Sequence, residues 1–269
     1  MPVSFHVILI PEKPVSSNEL TPDRIHGIFH SLLGDSLSKE IHDIKGLKPY
    51  SLSYPPFFGR QRQIERIRLG ISFLIDELFP RFLSSFVLGN SIIKLGDITL
   101  KKVKKPLVNE NNIKSYHTIY DESEPSRDII LDFLTPTSFK RGNYDYPLPD
   151  PLLIFRGLIR KWQSFSDLKI DCDLREVISS KTMVTGAWIR TKKVEFSSLG
   201  KFTGFTGRVV LHVDERRKEV LKWLNALCRF ADFSGVGRKT TMGFGSVRKQ
   251  DPLISKEGNV SFDEELNIT

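Results

Sequence analysis

The chain has 269 residues, 39% hydrophobic and 27% charged, with 19 Phe; that is enough apolar material for two ordinary domains or one large one, and too much for wholesale disorder. The formal net charge of +8 points toward a polyanionic partner without saying which. The charge is unevenly spread: residues 1–134 hold 17 Lys and Arg against 16 Asp and Glu, residues 135–250 hold 22 against 11, and residues 251–269 hold 1 against 5.

Period-two alternation of Val3, Phe5, Val7 and Leu9 with Ser4, His6, Ile8 and Ile10 predicts a strand, and 11–18 reads as a loop. Thr21 followed by Pro22 reads as a helix N-cap with proline in the first turn. Ile25, Ile28, Phe29, Leu32 and Leu33 then share one helical face, and Gly34 can end the helix. Strand-like runs follow over 49–58 and 63–70, a second helix over about 72–83, and strand-like segments over 86–103. This is the βαββαβ order of the ferredoxin-like fold, which RNA-recognition modules also use.

Residues 121–127, polar and containing Pro125, are the best linker. The order then repeats. A strand is expected over 128–139, and a helix over 151–165 with Leu152, Phe155, Leu158, Ile159 and Trp162 inward. A pair of long strands follows over 183–213, broken by Gly200, Gly204 and Gly207. Asp214 should cap a helix carrying Val220, Leu221, Leu224, Leu227 and Cys228, and a last short strand should start at Ser246. The expected class is α+β, with tandem ferredoxin-like domains over 1–124 and 125–250 and an acidic tail over 251–269. Cys172 and Cys228 are too few for a disulfide framework or a four-cysteine zinc site. The first twelve residues lack the pattern of a secretion signal, and no 18-residue apolar run exists. The expectation is a cytoplasmic protein without a membrane span or cofactor.

Residues 235–245 (GVGRKTTMGFG) pack four glycines around Arg238 and Lys239. Glycines at 235, 237, 243 and 245 would let backbone amides approach a phosphate closely, with charge alongside. The stretch is no Walker loop, because no GK[ST] closes it, and no dinucleotide fingerprint, because a helix precedes it and none follows. A glycine-rich turn entering an edge strand is the plainer alternative. The predicted helix, loop and strand resemble the C-terminal glycine-rich motif of the RAMP superfamily of CRISPR systems, within it the endoribonucleases that cut repeat transcripts into guide RNAs. The segments 132–139 (DFLTPTSF), 204–210 (GFTGRVV) and 41–48 (IHDIKGLK) agree with that family.

Of the six histidines, His6 and His212 sit in strand patterns, and His117 lies in an irregular polar stretch without an evident partner. On the first helix His26 and His30 fall about 100° and 140° from Ile25, on the flank of the apolar face. Such an i, i+4 pair could hold a metal only with further ligands, and no metal site is expected. His42 follows the helix in a loop-like stretch beside Lys45 and Lys48. Histidine titrates near neutrality, and RNA carries its own nucleophile in the 2′-OH. A base, an acid and a cation therefore suffice for cleavage without a metal. The resemblance implies His42 and Lys48 as catalytic, with His30 standing where the family often has tyrosine, and leaves base and acid open between the two histidines. Lys45, Lys140, Arg141, Arg190, Lys192, Lys193, Arg238, Lys239 and the loop glycines are the expected RNA contacts. Lys101–Lys105 (KKVKK) is a weaker candidate that could equally guard an edge strand. The resemblance makes CRISPR repeat RNA, as a hairpin or single strand, the partner. A CRISPR effector complex and a homodimer are open assemblies, and a non-catalytic guide-binding RAMP subunit is the alternative. An unrelated RRM-like module would need paired aromatics on its central strands.

Overall fold

The computed structural model describes residues 1–54, 63–103, 105–197 and 200–250. The expected acidic tail, the end of the strand expected over 49–58, and Lys104 lie outside the described residues.

The first half runs β1 (Val3–Pro11), β2 (Val15–Ser16), α1 (Pro22–Asp43), β3 (Tyr50–Ser53), β4 (Gln63–Ile64), β5 (Ile67–Phe73), α2 (Leu78–Leu88), β6 (Ile92–Leu95), β7 (Ile98–Lys102), β8 (Leu107–Ile113) and α3 (Tyr116–Asp121). Its main sheet has the order β3-β5-β1-β7-β6, with β8 also pairing β1, all antiparallel. Strands β7-β1-β5-β3 reproduce the ferredoxin-like order. Val3, Phe5, Val7 and Leu9 face the core and are buried, while Ser4, His6 and Ile8 line the opposite face.

The second half runs β9 (Asp128–Thr137), β10 (Phe139–Arg141), β11 (Tyr144–Tyr146), α4 (Pro151–Phe165), α5 (Arg175–Ser180), β12 (Thr182–Glu195), β13 (Lys201–Val213), α6 (Lys218–Ser234) and β14 (Val247–Gln250). Its sheet, β12-β13-β9-β14, is antiparallel with β14 at an edge. This is the ferredoxin-like order again. Ile129, Leu131, Phe133, Val209 and Leu211 pack under α4 and α6 in one core cluster, separate from the cluster that the first sheet forms with α1 and α2. The two halves meet where Ser51 of β3 donates to the Phe233 carbonyl of α6, 2.5 Å, and Ser53 donates to Ser246 Oγ just ahead of β14, 3.1 Å.

Several local expectations change. The second helix begins at Leu78, because the alternation of β5 continues through Ile71 and Phe73. Polar β8 and the short α3 occupy a stretch without strong periodicity, and α3 takes His117, which faces Asp167 at 3.8 Å. The 11–18 loop contains β2 and the start of a 3-10 turn. Thr21 makes no side-chain cap; its hydroxyl bonds Ser197 instead, 2.6 Å. Asp214 does not cap α6, whose N-cap is Arg217. Glu215 instead accepts from the Arg216 and Arg217 amides, 2.7 and 3.1 Å. On α4, Leu152 is exposed and Ile154 takes the inward place. Gly204 and Gly207 lie inside β13, with a register shift between Phe205 and Gly207. No helix among the described residues is long and apolar enough to cross a membrane.

Candidate functional site at the seam of the two halves

Helix α1 is two helical pieces joined at Gly34, whose φ of 72° and ψ of 164° are not helical. In a straight helix His30 and His42 would be about 18 Å apart along the axis. The bend brings their rings to 6.4 Å, centroid to centroid. Across it, Ser38 Oγ hydrogen-bonds His30 Nδ1 at 2.8 Å. Glycine at 34 is needed because φ in this region is unfavourable for any residue with a Cβ.

His26, His30, Ile41, His42, Lys48 and Tyr50 line a cleft of about 230 Å³, and Thr241 and Met242 of the glycine loop close it. The cleft therefore draws one wall from each half of the chain. His30 is half-buried, and its Nε2, itself buried, has no hydrogen-bond partner among the described residues. Burial, and then the charges of His42 and Lys48, hold the His30 pKa below its usual range. His26 stacks edge-on against His30, rings 4.6 Å apart, and bonds the Tyr50 hydroxyl at 3.0 Å. Burial first, and then neighbouring charge, lowers its pKa to about 4. Tyr50 is buried, stacks on Phe29 at 4.5 Å and is hydrogen-bonded by the Thr241 side chain, so it ties α1 to the glycine loop. Burial pushes its pKa up.

His42 is in the last turn of α1, not in a loop as expected; its side chain is exposed, with Asp43 Oδ1 3.7 Å from its Nδ1. Lys48 reaches back to cap that helix end, donating to the carbonyls of Ile41, His42 and Ile44 at 2.9, 2.8 and 2.6 Å. Three carbonyls that the helix leaves unpaired thus fix the turn that carries His42. Lys45 is exposed just beyond it.

The glycine loop is braced from within and from below. Val236 donates to the Gly245 carbonyl, Gly245 to Pro136, Arg238 to Ser138 and Met242 to Lys239, at 2.8 to 3.1 Å. Gly235, Gly237, Gly243 and Gly245 all have positive φ, and a Cβ at Gly245 would collide with the Val236 carbonyl. Several amides expected to meet phosphate therefore hold the loop's own shape. Lys239, the one non-glycine with positive φ among the described residues, lays its ammonium over Phe196 at 4.2 Å. Arg238 pairs with Asp145. Beneath the loop, buried Lys161 donates to the Ser234 and Gly235 carbonyls at 2.5 and 3.0 Å, and burial lowers its pKa to about 7.

The other expected RNA contacts lie farther along the second half. Lys140 donates to the Asn143 carbonyl, 3.1 Å. Arg141 pairs with Asp150, 2.5 Å, and stacks on Tyr146. Arg190 and Lys193 are exposed on β12, and Lys192 is half-buried on the same face as Arg190. His26, Tyr50, Thr241 and Met242 were not among the expected site residues. Only His26 carried a local signal, its one-turn spacing from His30.

Residues 131–247 match the family profile described as CRISPR-associated endoribonuclease Cas6. A curated CRISPR-associated endoribonuclease Cas6 from Mycobacterium tuberculosis is 28% identical over 237 residues, 87% of this chain and 72% of the relative. Among solved structures, a Thermus thermophilus Cas6 in a product complex superposes with a TM-score of 0.78 at 30% identity, covering 93% of this chain and 100% of that one. A second Cas6 product complex gives 0.74 at 28% identity, with the same coverage.

Proposed function

This chain belongs to the Cas6 family of CRISPR-associated endoribonucleases, and from that premise we propose that it cuts repeat RNA with His30 and His42. It is an endoribonuclease that processes CRISPR repeat transcripts. The observation that carries the residue assignment is His30 Nε2, buried and without a hydrogen-bond partner among the described residues, on a residue that lines the same cleft as His42.

His30 is the base. Its lowered pKa keeps it neutral at pH 7, and Nε2 takes the proton of the 2′-OH as that oxygen attacks the adjacent phosphorus. His42, exposed at the cleft mouth, is the acid that protonates the departing 5′-oxygen. The products are a 2′,3′-cyclic phosphate, or the 3′-phosphate from its opening, and a 5′-OH. Lys48 adds positive field to the wall and holds the His42 turn through three carbonyls. Its donors are occupied, which favours this positioning part over direct contact with the phosphorane. His26 and Tyr50 orient His30 and couple it to Thr241. No step uses a metal.

The same proposal divides the chain near residue 124 into a cutting half and a gripping half, with Lys140, Arg141, Arg190, Lys192, Lys193, Arg238, Lys239 and the loop glycines serving the grip and Lys45 adding to it from the first half. The cut RNA passes to a CRISPR effector complex in the cytoplasm, and sedimentation of the RNA-bound chain distinguishes one copy from two. The reaction is tested with purified protein and repeat RNA in EDTA, with and without a 2′-deoxy substitution at the cleaved position. Cutting in EDTA that stops with the 2′-deoxy RNA is expected. Loss in EDTA, or survival of cutting with the 2′-deoxy RNA, overturns the mechanism.

A further inference from the structure

Trp162 and Trp223 are buried in the second core, but Trp188 is 66% exposed. It lies on β12, on the sheet face turned away from α4 and α6. Directly across on β13 is Arg208, whose own neighbour on β9 is Asp132, and beyond that on β14 is Arg248. Arg208 is clamped to Asp132 by two hydrogen bonds, 2.7 and 2.8 Å, and Gln250 adds a third bond to the same carboxylate, 2.7 Å. The row Trp188-Arg208-Asp132-Arg248 therefore crosses the whole sheet and carries more positive than negative charge. Arg190 is exposed two residues along the same face.

The indole has a seat. A Cβ at Gly186 would lie 2.9 and 3.0 Å from the Trp188 six-membered ring, so glycine at 186 is what lets the ring lie back against its own strand. The far end of the ring is thus held over Gly186 while most of the residue stays exposed, which suits a stacking platform positioned before its ligand arrives.

We propose that Trp188 stacks an unpaired base of the RNA, with Arg190 meeting a neighbouring phosphate. The occupant is RNA and not an apolar protein surface because cations flank the ring along and across the strands. A paired base hides its faces within the helix, so the contact selects single-stranded nucleotides and tells RNA with an unpaired flank from a bare hairpin. The proposal rests on the reading that repeat RNA is the substrate. It extends that reading to a position on the open sheet face, separate from the histidine cleft.

The test uses full-length protein and fluorescein-labelled repeat RNA made uncleavable by a 2′-deoxy at the cut site. In one RNA the flank is unpaired, and in the other a complementary strand pairs it. Trp188→Ala should reduce the affinity gained from the unpaired flank by roughly 5- to 150-fold, while Trp188→Phe retains most of it. RNA with the unpaired flank should also quench the red edge of the tryptophan emission, which comes from the one exposed indole, and Trp188→Phe should abolish that change. An unchanged flank preference in Trp188→Ala overturns the platform and leaves the cutting site standing. If the wild-type chain neither binds nor cuts repeat RNA, the functional reading falls and the platform falls with it.

Discussion

In the first half of the chain, groups that can exchange protons are crowded together: His26, His30 and His42 are within one cleft, and burial has lowered the pKa of the first two. In the second half, cations are abundant but mostly engaged. Arg141 is paired with Asp150, Arg208 with Asp132, Arg217 with Glu215 and Arg238 with Asp145, while Lys161 is buried on carbonyls. The nearly neutral half thus holds the reactive groups, and the strongly basic half spends much of its charge on its own architecture. Counting Lys and Arg points to the half we propose as the grip but overstates how many cations are available for phosphates. An engaged arginine still contributes field, since an ion pair at the surface is weak and exchangeable.

The sharpest way to break the contrast is to remove the exposed histidine. His42→Ala should slow single-turnover cleavage by about 10²- to 10⁴-fold while repeat RNA binds as before. A parallel loss of affinity would mean that cutting and gripping are not divided between the halves. Next in size is the bend. Gly34→Ala places a Cβ at φ 72° and ψ 164°, a region essentially reserved for glycine, and should cost about 1–3 kcal/mol of stability. By shifting His42 away from His30 it should slow cleavage by about 10²-fold, because an ångström of misplacement is enough. Melting curves and single-turnover rates read these effects together.

On the other side of the contrast, Lys239→Ala should weaken RNA binding without slowing the bound reaction, and should reduce the slope of log affinity against log salt by about 1. An unchanged slope would assign Lys239 to holding Phe196 alone. The smallest effect is in pH. Because the His30 pKa is lowered, the acid limb of the cleavage profile should fall below the ordinary histidine value of about 6.5. His26 acts on stability in the same window. Between about 6.5 and 4 the unfolded chain binds a proton that folded His26 refuses, so stability should decline as pH falls through that range and be unaffected above it. The decline should be smaller in His26→Gln.

The sequence carried the architecture well where periodicity was strong. Helix α4 spans the expected 151–165, and both halves have the expected strand order. It failed where neighbouring patterns merged: β5 runs into residues that also suit a helix, and polar β8 has no apolar alternation to announce it. Of the residues that line the cleft, His30, His42 and Lys48 were singled out by chemistry and family resemblance. Tyr50, Thr241 and Met242 were not, because they reach the cleft through contact between residues some 190 positions apart. The part played by Lys48 was equally hidden. Its charge was visible in the sequence, but its three carbonyl partners exist only once α1 ends at Asp43. Likewise Gly34 read as a helix end, and the second helical piece that returns His42 toward His30 depends on the φ that this glycine adopts.

The central claim is the division of labour between His30 and His42, and a repeat RNA with a bridging 5′-sulfur at the cut site tests it most directly. A thiolate leaves without needing a proton, so loss of the acid should no longer matter, whereas loss of the base still should. The account predicts that His42→Ala regains nearly the wild-type rate on this RNA and that His30→Ala remains slow. Rescue of His30→Ala, or failure to rescue His42→Ala, would contradict it.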